Sequence, residues 1–255
     1  MYKIVILDLD GTLLTSDKRI SEYTKEIIRK LNKDVKFVLA SARAFVTIKP
    51  YLKKLGLLNK NNYTIAFNGS LVVNNLEESI IDEEIENNSK RILQEYIDSN
   101  NQVEWHYYTY DKNILMNDIK DIFDFIKNNK IYKIVCLANE DIIIKMRKDM
   151  PYSITELFQI TSSEPTRIEF VKKGMRKIEA IKLLLKELNI NSSEVIAMGD
   201  GENDIEMIKY AGCGIAMGNA TEEVKSIADI ITDTNDNDGV GKILKKIFVK
   251  GDENK

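Results

Sequence analysis

The chain has 255 residues and a formal charge of −3, from 37 basic and 40 acidic side chains. That length can bury a sizeable core as one large or two smaller domains, and the near balance of charge gives no field favouring nucleic acid or a membrane surface. Cys136 and Cys213 stand far apart with no partner motif, arguing for neither a disulfide framework nor a zinc site and fitting a reducing cytoplasm.

In chain order, an apolar run over 3–8 predicts a strand, and a helix is expected over 21–32, opened by Ser21 with Ile27, Ile28 and Leu31 on its apolar side. A strand over 35–40, a helix over 44–55 that stops at Gly56, and a strand over 63–67 follow. Residues 71–82 read as a hairpin leading out of this core. A helix over 87–99, an aromatic strand over 102–110 and a return strand from Asn113 to Met116 open a mixed block that runs to Val171. Alternation then resumes: helix 176–188, strand 194–198, helix 203–210, strand 213–217, helix 221–228, strand 229–232 and helix 240–249. The pattern predicts an α/β fold, a mainly parallel sheet with helices on both faces, interrupted by an inserted α+β unit. The core is expected to be discontinuous, 1–82 plus 173–255, with 83–172 inserted; the polar tail 250–255 is expected to fray. No apolar stretch approaches the roughly 18 residues that cross a bilayer. The run from Lys3 to Leu7 is broken by Asp8 before it could serve as a secretory leader.

Two acidic turns carry the chemistry. Asp8-Leu9-Asp10-Gly11-Thr12 ends the first strand, and Gly199-Asp200-Gly201-Glu202-Asn203-Asp204 ends the strand over 194–198. Parallel strands share one carboxyl edge, where ligands bind, and carboxylates gathered there call for a cation. Asp8 can attack phosphorus as a nucleophile. Asp10 can protonate the leaving oxygen, provided the crowded acidic site keeps it protonated. Gly11 permits close backbone approach, and the Gly11 and Thr12 amides could hold phosphate oxygens. Asp200 and Asp204, four apart, read as a metal ligand with a second acid behind it, against simple N-capping of the helix over 203–210 by Asp200 or Asn203. With Asp8 in the same site, ligation of an octahedral magnesium is favoured. Ser41, in Ser41-Ala42-Arg43, reads as a phosphate donor or a helix N-cap, and the basic run 172–177 could send one lysine into the cleft.

Taken together these motifs resemble the haloacid dehalogenase (HAD) superfamily over essentially the whole chain, in its Cof-like subfamily IIB with a C2B cap. The resemblance implies a Rossmann-like three-layer core and an aspartyl-phosphate mechanism. Asp8 would be the nucleophile and Asp10 the acid/base; Mg2+ would sit on Asp8, Asp200 and the Asp10 carbonyl, with Asp204 behind them. Ser41, Lys177 and Asn203 would hold phosphate with Gly11 and Thr12. Asn68-Gly69 and Asp238-Gly239-Val240 are similar to further loops of the subfamily. The usual Thr-Gly-Arg is here Ser41-Ala42-Arg43, and Lys177 is followed by Ile178 rather than Gly, which leaves Lys173 (before Gly174) as a rival; Lys177 is preferred because it opens a helix. Arg43, Asn68, Gly69 and His106 are candidate substrate contacts. For His106 the face Glu104, His106, Tyr108 competes with the face Val103, Trp105, Tyr107, and a packed sheet histidine is the commoner role. Dinucleotide and nucleotide-loop motifs are absent: Gly212-x-Gly214-x-x-x-Gly218 misses the spacing by one residue. The expected protein is therefore a cytoplasmic, magnesium-dependent phosphatase of small phosphorylated metabolites such as sugar phosphates, with no nucleic acid, membrane or obligate protein partner. A phosphomutase of the same fold and an inactive regulatory or binding protein are the alternatives.

Overall fold

The computed structural model describes residues 1–162 and 164–249, so the tail expected to fray lies outside the described residues. The first third forms β1 (Ile4–Leu7), α1 (Glu22–Leu31), β2 (Lys36–Ala40), α2 (Phe45–Leu55), β3 (Tyr63–Ala66), β4 (Leu71–Asn74) and β5 (Ser79–Asp82). The middle forms α3 (Asn87–Asp98), β6 (Glu104–Tyr108), β7 (Asn113–Leu115), α4 (Ile122–Asn128), β8 (Lys133–Leu137), α5 (Glu140–Lys148), α6 (Tyr152–Leu157), β9 (Phe158–Thr161) and β10 (Arg167–Lys172). The last third forms α7 (Lys177–Glu187), β11 (Val195–Gly199), α8 (Ile205–Tyr210), β12 (Cys213–Ala216), α9 (Glu222–Ile227), β13 (Ile230–Ile231) and α10 (Gly239–Phe248).

Local chemistry explains several of these bounds. Ser21 caps α1 by accepting the Thr24 amide, and Gly56 ends α2 in a left-handed turn at φ 71°. The helix expected over 203–210 begins instead as a 3-10 turn, Glu202–Asp204. The strand expected over 102–110 stops at Tyr108, because the Thr109 amide turns back to the Lys112 carbonyl at 2.9 Å.

Eight strands form one sheet in the order β13-β12-β11-β1-β2-β3-β4-β5. Those from β13 to β3 pair in parallel, while β3-β4-β5 is an antiparallel meander. The 71–82 hairpin thus extends the sheet edge rather than leaving it: β4 repeats the apolar pattern and finds the free edge of β3. Helices α1 and α10 pack together, as do α7 and α8. Every residue of β1 is at most 1% exposed, as expected of a strand covered on both faces, and each such side chain contributes roughly 1.5–3 kcal/mol by burial.

The inserted unit is a five-stranded sheet, β7-β6-β8-β10-β9, paired antiparallel throughout. Its own apolar core takes Trp105, Tyr107, Ile134, Cys136, Phe158 and Phe170. Trp105 and Tyr107 are therefore committed to packing, and the opposite face of β6, with Glu104, His106 and Tyr108, is the one turned away from that core. No helix among the described residues is long and apolar enough to cross a membrane.

Candidate active site

Strand order reverses at β1, which has β2 on one side and β11 on the other. A crevice outside the carboxyl ends of strands at such a reversal is where open α/β sheets bind ligands. Asp8 follows β1 directly, and its amide donates to the Met198 carbonyl of β11 at 3.0 Å. The chain turns sharply at Gly11, φ 81°, where a Cβ would lie 2.2 Å from Asp200 Oδ2. Only glycine lets the two acidic turns approach so closely.

Lys177 is the first residue of α7, and its buried Nζ lies 2.5 Å from Asp8 Oδ1 and 2.8 Å from Asp204 Oδ1. Lys173 donates to the Thr155 carbonyl at 2.6 Å. Of the two rival lysines, geometry brings only Lys177 to Asp8. Asp204 uses its other oxygen on the amides of Asp200 and Gly201, at 3.1 and 3.2 Å. It therefore braces the turn, and neither Asp200 nor Asn203 caps it. Asn203 stands exposed on the same turn. Asp200 accepts from the Thr12 hydroxyl at 3.0 Å, so the Thr12 side chain orients a carboxylate.

Asp8, Asp200 and Asp204 each offer an oxygen, all within 4.8 Å of one another. Burial and the Asp204 charge push the Asp8 carboxyl up, against the Lys177 ammonium. Burial, again with Asp204, raises Asp200 to about 6, against the Thr12 hydrogen bond and Lys177. Burial works against the Lys177 charge, but Asp204 and Asp8 outweigh it and keep the ammonium protonated. One cation among three acids leaves the cluster short of positive charge, and an all-oxygen donor set suits a hard divalent ion. These residues fit Mg2+.

Asp10 departs from expectation. Arg43 forks onto it, Nε to Oδ2 and Nη2 to Oδ1 at 2.6 Å each, and Lys18 Nζ lies 2.7 Å from Oδ1. Partial burial would raise its carboxyl, but the Arg43 and Lys18 hydrogen bonds and charges hold it below the usual range. The crowded-acid argument fails here because two cations, not other acids, face this side chain. Arg43 in turn lies over the Tyr51 ring.

Ser41 leaves β2 at the same sheet edge as Asp8, as the Leu7–Leu39 register requires. Its hydroxyl accepts the Arg43 amide at 3.2 Å, and the N-cap position of α2 belongs to Ala44; Ser41 is not a helix cap. The Asn68 amide donates to the Ser41 carbonyl at 3.1 Å and the Phe67 amide to the Arg43 carbonyl at 3.0 Å. Phe67 and Asn68 both sit at positive φ, a strained arrangement for a bulky residue such as phenylalanine. Asn68 Oδ1 is buried without a hydrogen-bond partner among the described residues. At Gly69, φ 114°, a Cβ would meet the Arg176 carbonyl at 2.6 Å, so this loop rests on the start of α7. His106 lies on the second sheet, with Nε2 2.6 Å from Glu104 and Nδ1 3.0 Å from Asn113.

Three contributors escaped sequence reasoning. Lys18 pairs with Asp10, Asn219 holds the Gly11 carbonyl at 2.8 Å, and Lys133 of β8 donates to the Ala42 carbonyl at 2.9 Å. Each looks like a solvated polar residue in the sequence; Lys18 and Asn219 stay exposed while reaching the site, and only Lys133 is buried by the fold.

A family model for haloacid dehalogenase-like hydrolases matches residues 5–244, and the chain belongs to that family. A Haemophilus influenzae protein provisionally assigned as a phosphatase is 33% identical, over 97% of this chain and 99% of its own. The Bacillus subtilis 5-amino-6-(5-phospho-D-ribitylamino)uracil phosphatase YcsE is 30% identical, over 95% of this chain and 94% of its own. The crystal structure of a haloacid dehalogenase-like hydrolase from Bacteroides thetaiotaomicron superposes with a TM-score of 0.88 at 30% identity, covering 97% of this chain and 100% of that one. Within the family this is a Cof-like phosphatase, a phosphoric monoester hydrolase acting on a phosphorylated small molecule.

Proposed function

We propose that the protein is a magnesium-dependent phosphatase of sugar or polyol phosphates, working in the cytoplasm through an aspartyl-phosphate on Asp8. The observation that carries this reading is the buried contact of Lys177 with Asp8, 2.5 Å, inside the three-acid cluster at the strand reversal. Asp8 attacks phosphorus, Lys177 and the Ser41 hydroxyl hold the equatorial oxygens with the Gly11 and Thr12 amides and Asn203, and Asp10 protonates the leaving oxygen. Asp10 must first exchange its Arg43 and Lys18 contacts for the substrate and take up the proton that it later gives; an incoming phosphate competes for the same cations. Water then attacks the aspartyl-phosphate, with Asp10 as base. Mg2+ held by Asp8, Asp200 and the Asp10 carbonyl would neutralise phosphate charge.

Residues 83–172 serve in this reading as a cap that closes over the site and selects the leaving group. The polar face of the second sheet, with Glu104, His106 and Tyr108, suits a polyhydroxylated group, and the substrate named for YcsE carries a ribityl phosphate. Asn68, Gly69 and Arg43 would line the seam. The buried, unpaired cysteines, Cys136 and Cys213, favour a reducing compartment.

Steady phosphate release from a generic aryl phosphate tests the reading, since a phosphomutase or a pure binding protein would not sustain it. Magnesium should be required and calcium should inhibit, because the larger ion tolerates a bidentate Asp8 and ties up the attacking oxygen. Full activity after exhaustive chelation would refute the metal assignment. The pH dependence follows from Asp200. Its folded value, about 6, lies above the ordinary 3.8, so its contribution to metal-free stability is greatest below about 4 and is lost as pH rises through about 6. A cation must displace that proton, so the magnesium-induced rise in Tm should be larger at pH 7 than at pH 5. An equal shift at both would assign the metal to other groups.

His106→Ala should change relative kcat/KM among sugar phosphates roughly tenfold while sparing a small aryl phosphate. A uniform loss across substrates would make His106 a support of the sheet through Glu104 and Asn113.

A further inference from the structure

Lys133 is 5% exposed, and its ammonium sits in the seam between the two sheets. Besides the Ala42 carbonyl at 2.9 Å, Nζ has Glu169 Oε2 at 3.3 Å and the Tyr108 ring centre at 4.9 Å. A buried ammonium is costly unless its donors are used, and one of these is used across the seam on a backbone carbonyl. That carbonyl belongs to the residue between Ser41 and Arg43. The neighbouring residue of the inserted unit, Tyr132, stacks on Phe67 with ring centres 5.0 Å apart and planes 6° from parallel. Its hydroxyl donates to Asp82 at 2.7 Å. Ala42 and Phe67 lie on two loops that are themselves joined, through the Phe67 amide to Arg43 and the Asn68 amide to Ser41. Two consecutive residues thus grip both halves of one clamp, and the Phe67 half is held at positive φ.

We propose that Lys133 is a positioning residue: its bond to Ala42 couples seating of the cap to the geometry of the Ser41–Arg43 loop. The loop is then set for a phosphoryl group only when the cap is down. The inference rests on reading Ser41 as a phosphate donor and 83–172 as a moving cap. Lys133 touches none of the reacting groups, so its loss acts on phosphate affinity rather than on the attack by Asp8.

Lys133→Met keeps the length of the stem and removes the donor. It should raise KM for an aryl phosphate and Ki for inorganic phosphate by about tenfold, with kcat within about threefold. Unchanged KM and Ki overturn the proposal, whatever happens to kcat. Should that variant fail to fold, lysine acetylation of the wild-type protein, read by mass spectrometry with and without magnesium and inorganic phosphate, decides the matter. Phosphate should slow labelling of both Lys177 and Lys133. Slowing at Lys177 alone overturns the coupling and leaves the phosphate site standing; slowing at neither overturns the site reading and the proposal together.

Discussion

Asp8→Asn should leave a folded protein whose phosphate release is lower by at least about a thousandfold, about 4 kcal/mol of transition-state free energy. An amide oxygen is a poor nucleophile toward phosphorus, and no other side chain in the cluster stands where Asp8 does. Folding should survive because the amide keeps the shape of the carboxyl and can still accept from Lys177, which lies 2.5 Å from Oδ1. The substitution also removes an ionisable group whose charged form is disfavoured by burial and by the neighbouring Asp204 charge. Metal-free Tm should therefore equal or exceed wild type, while stabilisation by magnesium is weakened. Near wild-type turnover by a clean preparation would end the covalent mechanism. A collapsed Tm would instead make Asp8 chiefly a partner of Lys177.

The second large effect belongs to Lys177. Lys177→Ala strips the only cation in contact with Asp8 and Asp204 among the described residues, and kcat should fall by roughly 10²–10³ through lost stabilisation of the transferring phosphoryl group. Stability should fall too, because Asp8 and Asp204, whose side chains are 8% and 1% exposed, are left as unpaired acids; breaking buried pairs of this kind costs about 3–5 kcal/mol. Protonation relieves unpaired carboxylates, so the deficit in Tm should be smaller at pH 5 than at pH 8. Lys173→Ala should be mild, since its ammonium reaches an exposed Thr155 carbonyl. The reverse ranking of the two variants would transfer the phosphate role to Lys173.

Much of this site was legible from local pattern. Asp8 and Asp200 each end an apolar strand, and parallel alternation brings such ends to one edge whatever the loops do. Lys177 was preferred to Lys173 for its place at the start of an amphipathic helix, and it is the lysine that lies against Asp8. Less legible was the state of Asp10. Its neighbours in sequence suggested an acidic crowd, yet Arg43, 33 residues away, and Lys18 surround it with positive charge. Ser41 offered two roles, and the α2 cap at Ala44 removed one.

Sequence alone determined the alternation of strands and helices, the acidic turns and the interruption by a mixed α+β block, because periodicity and turn chemistry act over a few residues. Tertiary structure decided which groups lost their water. The face of β6 that packs, the inward turn of Lys133, and the bracing of Asp200 and Gly201 by Asp204 all depend on neighbours distant in sequence or on a turn whose shape they set. Burial and charge pairing are properties of those neighbourhoods, and no local pattern encodes them.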